Sequence, residues 1–313
     1  MKKVLITGGA GFIGANFVYK FLELKNIVVV AERKGANLWR LEKVKKNITL
    51  FSVDLTDAKT VEKLIAKIKP DIVIHLAAYG AYQRFQQDIS LTIDTNLKGT
   101  INLVNACQKV GVEAFINTGT NSEYGIKNKP MKESDILEPD NLYGITKSAT
   151  SQYCQMMAKK FGFPVVTMRP FAVYGPFEEK GRLIPDIIKA CLANTELTLS
   201  SPKSVRDFIY IDDLIEGYLA AIKNIEKIKG EIFNLGSGKQ YSIQDVVKIV
   251  KKMTKSTINP QYGTIKKVQT EPTIWMANIS KAKKMLDWKP KHNIEQGLKK
   301  SIEWFKEHIN LYA

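Results

Sequence analysis

The residues with the clearest chemical potential are a tyrosine and a lysine, Tyr143 and Lys147, four positions apart. In a helix this spacing places both side chains on one face. A free phenol has a pKa of about 10, and a neighbouring ammonium favours the phenolate. Tyr143 is therefore predicted to accept a proton from a substrate hydroxyl, with Lys147 tuning it. Because such pairs are frequent on ordinary helices, the surrounding sequence has to show whether this pair is catalytic.

A glycine-rich turn, Gly8 to Gly14, lies between an apolar run and a periodic helical stretch near the start of the chain. Gly8 permits a tight turn, Gly11 lets the backbone approach a pyrophosphate, and Gly14 lets the helix pack closely on the sheet. The helix N-terminus then offers N–H groups and a positive dipole end to the phosphates. Since strand, turn and helix follow in order, the sequence predicts dinucleotide binding. The predicted contacts in this turn are Gly8, Gly11, Phe12, Ile13 and Gly14.

An acidic residue at the end of the second apolar run indicates which dinucleotide binds. Glu32 would accept hydrogen bonds from both hydroxyls of the adenosine ribose and would repel a 2′-phosphate, which favours NAD. Arg33 and Lys34 follow directly and are able to pair with such a phosphate, so NADP stays open as an alternative. Asp54 and Leu55, after the third apolar run, are expected beside the adenine.

The elements that would position these residues alternate along the first half of the chain. Short apolar runs predict strands at Val4–Thr7, Ile27–Ala31, Ile48–Val53, Ile72–Leu76, Ala114–Asn117 and Val165–Met168. Helical patterns lie at Phe12–Leu24, Ala58–Ile68, Leu91–Lys109 and Leu142–Phe161. This alternation predicts an α/β fold, a doubly wound parallel sheet of the Rossmann type with helices on both faces.

Beyond Pro170 the alternation loosens, and prolines punctuate short elements. We therefore expect residues 1–170 to form the NAD-binding Rossmann domain with its catalytic helix. Residues 171–313 would mainly form a smaller mixed α/β lobe that binds the substrate. Two later segments, Asp207–Ile211 and Glu231–Leu235, are expected to return to the sheet. The predicted site is the cleft between the two parts, at the carboxyl ends of the strands.

Ordered motifs over nearly the whole chain resemble the extended short-chain dehydrogenase/reductase proteins, the NAD-dependent epimerase/dehydratase family that acts on nucleotide sugars. These motifs are Gly8–Gly14, Asp54-Leu55, His75–Ala78, Asn96, Thr118–Gly125, Tyr143 with Lys147, Arg169-Pro170, Val173–Pro176 and Arg206–Tyr210. The resemblance implies NAD as cofactor, initial oxidation of the sugar at carbon 4, and a homodimer through Leu91–Lys109 and Leu142–Phe161. Within the family, the chain is similar to the 4-dehydrogenases of GDP-linked heptose in bacterial capsule pathways.

The resemblance also implies roles for single residues. Thr120 would hydrogen-bond the reacting hydroxyl, and Lys147 would also bind the nicotinamide ribose. Arg206 would bind the diphosphate of the substrate, with help from Arg182. The alternative for Arg206 is an ion pair with Asp207 or another carboxylate. Further expected contacts are Leu76, Ala77 and Ala78 to the cofactor, and Tyr79 and Asn121 to the substrate. His75, at a strand end, is expected to be a packed residue.

Departures from the family pattern bear on the reaction. The 4,6-dehydratases carry Asp-Glu directly after the catalytic threonine, whereas this chain has Asn121 and Ser122 there. Glu123 comes one position later, and a one-residue shift turns a side chain away. Removal of water from carbons 5 and 6 is therefore not expected. Ala172 stands where many relatives have a substrate-contacting asparagine. The segment Tyr79–Arg84 is unlike that of common relatives and is expected to line the sugar site.

Composition excludes several other classes of function. The formal net charge is +16, but the lysines are scattered and not interleaved with aromatic residues, so no nucleic-acid partner is expected. A positive field would instead assist the capture of an anionic substrate. The three cysteines, Cys107, Cys154 and Cys191, have no CxxC spacing, so reduced thiols and no metal site are expected. Without a spanning apolar run or a signal peptide, a cytoplasmic protein without a membrane partner is expected.

The leading hypothesis is NAD-dependent oxidation of a nucleotide-linked sugar at carbon 4, in surface polysaccharide biosynthesis. The product would be a 4-keto sugar or, after re-reduction, the 4-epimer, and the base (GDP, UDP, dTDP or CDP) stays open. An NADPH-dependent 4-keto-sugar reductase is the alternative enzyme, favoured by Arg33 and Lys34. A non-catalytic dinucleotide sensor is the alternative of another class. It is disfavoured because Thr120, Tyr143 and Lys147 are all present.

Overall fold

A computed structural model describes residues 1–81, 88–263 and 272–312 of the chain. Its strands are β1 (Lys3–Thr7), β2 (Ile27–Glu32), β3 (Thr49–Ser52), β4 (Ile72–His75), β5 (Ala114–Thr118), β6 (Val165–Pro170), β7 (Ala172–Tyr174), β8 (Thr198–Leu199), β9 (Val205–Arg206), β10 (Phe208–Tyr210), β11 (Ile232–Leu235), β12 (Tyr241–Ser242) and β13 (Gln261–Tyr262). Its α-helices are α1 (Phe12–Glu23), α2 (Ala58–Ile68), α3 (Ile89–Ile93), α4 (Gly99–Val110), α5 (Leu142–Phe161), α6 (Leu183–Ala193), α7 (Ile211–Asn224), α8 (Ile243–Thr254), α9 (Ser280–Leu286) and α10 (Ile294–His308).

Within the described residues, seven parallel strands form the central sheet, in the order β11-β6-β5-β4-β1-β2-β3. Alternate residues of a strand point to opposite faces, so each buried strand serves two cores. In β1, Val4 and Ile6 pack into one hydrophobic cluster, and Leu5 packs into the other. Helices cover both faces of the sheet. The predicted α/β, doubly wound Rossmann class is confirmed.

The long helix α5 has the bounds that its sequence pattern predicts, Leu142–Phe161. Asn141 caps its start, because the Asn141 side chain accepts a hydrogen bond from the Gly144 N–H at 2.8 Å. The helix ends at Gly162, which has the left-handed φ of 64° that favours glycine. Local signals at both ends therefore define this element.

The predicted helix Leu91–Lys109 is interrupted in the structure. A π-helical turn, Asp94–Lys98, separates α3 from α4. Such turns place an extra residue in the helix and are frequent at functional sites. Here the turn carries the buried Asn96, whose amide accepts from the Tyr79 N–H at 2.8 Å and donates to the Tyr79 carbonyl at 2.9 Å. A periodic apolar pattern does not reveal this interruption.

The two later segments expected to join the sheet differ in their placement. Residues Ile232–Leu235 pair with β6 in the central sheet. The expectation for Asp207–Ile211 was wrong, because Phe208–Tyr210 pairs with β7 in a separate two-stranded sheet. The buried Asp207 carboxylate accepts backbone N–H groups of Ser237, Gly238 and Ala277, which fixes the start of this strand outside the main sheet. An apolar run indicates a buried strand without indicating its partner.

Cys107, Cys154 and Cys191 are buried free thiols in α4, α5 and α6. None of the helices in the described part of the chain combines the length and the apolar character that crossing a bilayer requires.

Candidate active site

The glycine turn after β1 has the close packing that a pyrophosphate site requires. Gly8 has a φ of 71°, and a Cβ atom there would lie 2.7 Å from the Ala77 nitrogen. A Cβ atom on Gly14 would lie 2.1 Å from the Gly8 carbonyl oxygen. Helix α1 begins directly after Gly11, which has no side chain to cap it, so N–H groups of the first turn are left for a ligand. This geometry fits the pyrophosphate of a dinucleotide.

A cavity of about 600 Å³ extends from this turn towards Glu32. The Glu32 carboxylate accepts the Ala10 N–H at 2.6 Å, and burial raises the pKa of this carboxyl. Asp54 lines the same cavity, and one of its carboxylate oxygens accepts the Thr56 N–H at 2.9 Å. The other predicted cofactor residues in its lining are Gly8, Gly11, Leu55, Leu76, Ala77 and Ala78. Arg33 and Lys34 line the same cavity.

A second cavity of about 510 Å³ continues along the strand ends and shares Gly8, Gly11, Leu76 and Ala78 with the first. The two cavities therefore adjoin and share part of their walls, and together they make up the cleft. The predicted residues that line its second half are Phe12, Ile13, Gly14, Thr120, Asn121, Tyr143, Arg182 and Arg206. Tyr79, expected at the sugar, lines the first cavity instead, while Ala81 lines the second. Residues Tyr82, Gln83 and Arg84 lie outside the described residues.

The turn that carries Thr120 is held by a buried ion pair. One carboxylate oxygen of Glu123 accepts the Thr120 N–H at 2.8 Å, and the other accepts from Arg169 Nη2 at 2.6 Å and Nε at 2.8 Å. The Glu123 and Arg169 side chains are 0% and 1% exposed. Arg169 also donates to the Tyr124 hydroxyl at 2.9 Å. Glu123 is thus turned inward, as its one-residue shift predicted, while Asn121 lines the cleft.

Helix α5 brings the tyrosine and the lysine to this turn through a close contact at its first residues. A Cβ atom on Gly144 would lie 2.5 Å from the Ser122 carbonyl oxygen, so glycine permits the approach. Tyr143 lines the cleft, whereas Lys147, one turn later on the same helix, is only 1% exposed. Burial lowers the pKa of the Lys147 ammonium to about 8, although the negative charge of Glu123 acts in the other direction and raises this pKa. Lys147 is therefore still a cation at neutral pH.

Two arginines line the far end of the cleft. The guanidinium carbon of Arg206 lies 5.7 Å from the centre of the Trp275 ring. The neighbouring Asp207 uses its carboxylate on backbone N–H groups, and the structure places Arg206 in the cleft lining. Arg182 Nε lies 3.5 Å from the buried Glu178 carboxylate. A cationic end of this kind suits a diphosphate.

His75 is a packed residue, as its position at a strand end predicted. Its ring nitrogens lie 2.7 Å from the Thr7 hydroxyl and 2.9 Å from the Thr100 hydroxyl. Burial, with a contribution from Lys147, lowers the pKa of His75 to about 3, so the ring stays neutral. Among the residues that the structure describes, no group of three His, Cys, Asp or Glu side chains is arranged to hold a metal ion.

Two residues of the cleft lining have no recognisable sequence signal. Trp275 lies beside Arg206, and its backbone N–H donates to the Gln240 side-chain oxygen at 2.9 Å. Glu179 lines the cleft beside Arg182. Both belong to irregular segments of the C-terminal part, where no periodicity indicates which side chains face the site.

The cleft has counterparts among known proteins. The model of the NAD dependent epimerase/dehydratase family matches residues 4–236. The chain is 31% identical over 320 residues to a UDP-glucuronate 4-epimerase of Thermodesulfobacterium geofontis, covering 98% of this chain and 97% of that protein. It is 32% identical over 329 residues to a UDP-N-acetyl-alpha-D-glucosaminuronate decarboxylase of Bacillus cytotoxicus, covering 99% of each.

A solved structure of an epimerase is also similar to this chain. It is a UDP-glucuronic acid 4-epimerase from Bacillus cereus in complex with UDP-glucuronic acid and NAD, with a TM-score of 0.86, 29% identity, and coverage of 98% of this chain and 99% of that one. The two sequence relatives have different activities at nearly equal identity, so similarity alone defines the family and not the reaction. This chain belongs to the NAD dependent epimerase/dehydratase family and is an NAD-dependent enzyme.

Proposed function

We propose that this enzyme oxidises a nucleotide-linked sugar at carbon 4 with NAD, yielding a 4-keto sugar or, after re-reduction, the 4-epimer. The observation that carries the proposal is that one cavity is lined by Thr120 and Tyr143 together with the glycine turn and Arg206. A sugar hydroxyl bound at Tyr143 would therefore share this cavity with the cofactor and with its own diphosphate.

In the proposed reaction, Tyr143 accepts the proton of the carbon 4 hydroxyl, and Thr120 orients that hydroxyl by a hydrogen bond. Bound NAD supplies the acceptor for the hydride that leaves carbon 4, so a carbonyl forms as the C–H and O–H bonds break. The Lys147 ammonium, which is buried one helical turn after Tyr143, would favour the phenolate and hold the nicotinamide ribose. The Glu123–Arg169 pair keeps the Thr120 backbone in place.

Dehydration does not follow the oxidation in this proposal. Asn121 and Ser122 occupy the positions after Thr120, and neither side chain is an acid or a base at neutral pH. The nearest following carboxylate, Glu123, is buried against Arg169. The 4-keto sugar would therefore be released, as in a dehydrogenase, or reduced on the opposite face, as in an epimerase.

The proposed substrate is anionic and carries a diphosphate, which Arg206 and Arg182 would bind at the far end of the cleft. The formal net charge of +16 supports capture of such an anion. A solved relative holds UDP-glucuronic acid, whereas the sequence resemblance favours GDP-linked heptose and a place in capsule or other surface polysaccharide synthesis. The candidate substrates are therefore GDP-, UDP-, dTDP- and CDP-linked sugars.

A second candidate function is the reduction of a 4-keto sugar with NADPH. It is favoured by Arg33 and Lys34, which line the same cavity as Glu32 and would pair with a 2′-phosphate. Glu32 argues against it, because its carboxylate would repel that phosphate. The cofactor preference of the enzyme therefore distinguishes the two candidates.

We also propose a cytoplasmic homodimer. Exposed apolar side chains lie on α3 and α5, where Leu91, Ile93 and Ile145 are 37%, 40% and 51% exposed. Apolar side chains on neighbouring helices favour contact with a second copy through these helices. The three buried free thiols suit a reducing compartment.

The test is mass spectrometry of the products formed from a panel of GDP-, UDP-, dTDP- and CDP-sugars with NAD. A product lighter by two hydrogens means a dehydrogenase, and a product of unchanged mass with altered stereochemistry means an epimerase. A product lighter by one water would contradict the proposal. No product with NAD, together with reduction of 4-keto sugars by NADPH, would establish the second candidate.

A pair of tyrosine variants controls this experiment. Tyr143→Phe removes the proton acceptor and is expected to abolish turnover while NAD still binds. Tyr153→Phe, on the same helix, removes a hydroxyl that donates to Asn105 away from the cleft and should retain activity. Equal turnover in the two variants would refute the role of Tyr143.

A further inference from the structure

Arg40 makes contacts that no motif in the sequence predicts. It lies on the 3-10 helical stretch Trp39–Asn47 that follows β2, and it is 5% exposed. Its guanidinium donates from Nη1 to the Ala10 carbonyl at 3.3 Å and from Nε to the Phe177 carbonyl at 2.8 Å. Nη2 pairs with the Glu179 carboxylate at 2.7 Å. One buried cation therefore bridges the glycine turn and the loop between β7 and α6.

Each end of this bridge belongs to one half of the cleft. Ala10 lies within the glycine turn and donates its own N–H to Glu32, at the end of the cofactor cavity. On the other side, Glu179 and Arg182 line the second cavity. If either segment moves, the distances from the Arg40 guanidinium to its acceptors on that segment change.

The loop itself has a backbone conformation that its surroundings must maintain. Phe177 has a left-handed φ of 66°, which is uncommon for a residue with a large side chain. Its ring stacks on Tyr19 at 5.3 Å and meets Trp304 edge-on at 5.0 Å. Strained conformations of this kind persist when several contacts determine them together, and they cluster at functional sites. The hydrogen bond from Arg40 to the Phe177 carbonyl is one of these contacts.

We propose that Arg40 is a positioning residue that couples the two ligand sites, so that NAD and the nucleotide diphosphate of the substrate each bind more tightly when the other is present. The guanidinium suits this role because its planar fork of donors reaches three acceptors in fixed directions, whereas an ammonium is a single point charge. The proposal rests on the proposed function only for the nature of the second ligand. Arg40 acts through the segments that it contacts, which are the glycine turn and the loop of Phe177 and Glu179 that leads to Arg182.

The test is titration calorimetry of NAD binding, alone and with saturating UDP, GDP, dTDP or CDP. Coupling between two sites is reciprocal. It is measured by the NAD dissociation constant without nucleotide diphosphate divided by the NAD dissociation constant with it. In the wild-type enzyme we expect the ratio to reach about tenfold, within the usual range for coupled sites. Arg40→Met should reduce the ratio to about one, and Arg40→Lys should not restore it. The matched control is Lys46→Met, an exposed position on the same 3-10 stretch, which should keep the wild-type ratio.

A second variant keeps the test valid if Arg40→Met folds poorly. Glu179→Gln removes a carboxylate that is 41% exposed and leaves the Arg40–Ala10 contact intact, so the fold should survive while the ratio falls. Wild-type ratios in folded Arg40→Met or in Glu179→Gln would overturn the proposal. Diphosphates that bind the wild type without coupling would overturn this proposal alone. If none of them binds, the proposed function falls with it.

Discussion

The Glu123→Gln variant is expected to lose several kcal/mol of stability although the new side chain has the same shape. Glu123 bonds the Thr120 N–H with one oxygen and Arg169 with the other, and the pair is buried. An amide has one acceptor oxygen and one donor nitrogen. Either orientation of the amide therefore sets its NH2 group against another donor. Removing one partner of a buried ion pair costs about 3–5 kcal/mol, because the remaining charge is unpaired.

The expected fall in melting temperature follows from the size of the protein. An unfolding entropy of about 2.1 cal/mol/K per residue gives about 0.66 kcal/mol/K for 313 residues. A loss of about 3–5 kcal/mol then lowers the melting temperature by about 5–8 °C. Turnover should fall by about 10- to 100-fold as well, because small misplacements of positioning groups are costly in catalysis and the Thr120 backbone loses its fixed partner.

The assay is differential scanning calorimetry at neutral pH, with Glu62→Gln as the matched control. Glu62 pairs with Lys109 at 2.7 Å, but the two side chains are 48% and 64% exposed, and exposed pairs contribute about 0–1 kcal/mol. The double variant E123M/R169M should recover part of the loss, since it leaves no unpaired buried charge. One kcal/mol of lost stability corresponds to a fall of about 1.5 °C in melting temperature. An E123Q protein that melts within about 1 °C of the wild type would therefore have lost less than about 1 kcal/mol, which would refute the reasoning.

Other predictions concern the cofactor and the dependence on pH. Glu32→Ala should shift the preference from NAD towards NADP by about tenfold in dissociation constants, equivalent to about 1.4 kcal/mol, and an unchanged preference would mean that Glu32 does not contact the ribose. Burial lowers the pKa of Lys147 to about 8, so kcat/KM should fall above pH 8 as the ammonium is lost; a profile still rising at higher pH would contradict its role. Burial raises the pKa of the Glu178 carboxyl from 4.5 to about 7, so the folded protein retains a proton that the unfolded chain releases. Its contribution to stability is present below pH 4.5 and is lost as the pH rises to about 7. Melting temperatures at pH 5 and pH 8 should therefore differ more in the wild type than in Glu178→Gln.

Much of the fold could be predicted because its signals are local. The bounds of α5 follow from an apolar pattern between Asn141 and Gly162, and the sheet follows from the alternation of strands and helices. The partner of Phe208–Tyr210 could not be predicted, because it depends on how Asp207 is buried against a distant loop. The π-helical turn around Asn96 likewise depends on its contact with Tyr79.

The candidate site likewise contains residues that local motifs predict and residues that depend on distant contacts. The glycine turn, Thr120 and Tyr143 belong to compact motifs, and the structure brings them to one cleft. Arg40 meets Glu179 across 139 positions of sequence, so its contacts exist only in the folded chain. Trp275 has no pattern that would place it beside Arg206. The position of Tyr79 in the cofactor cavity was also not predicted.

The most direct test of the central claim is to follow deuterium from carbon 4 of the nucleotide sugar that the enzyme accepts. The account predicts that the label moves to the reduced cofactor in a dehydrogenase, or is returned to carbon 4 of the epimer, and that Tyr143→Phe abolishes both. Deuterium recovered at carbon 6 would mean dehydration and would contradict the account. Turnover that leaves the label on carbon 4 while the absorbance of the cofactor shows no transient reduction would contradict it as well.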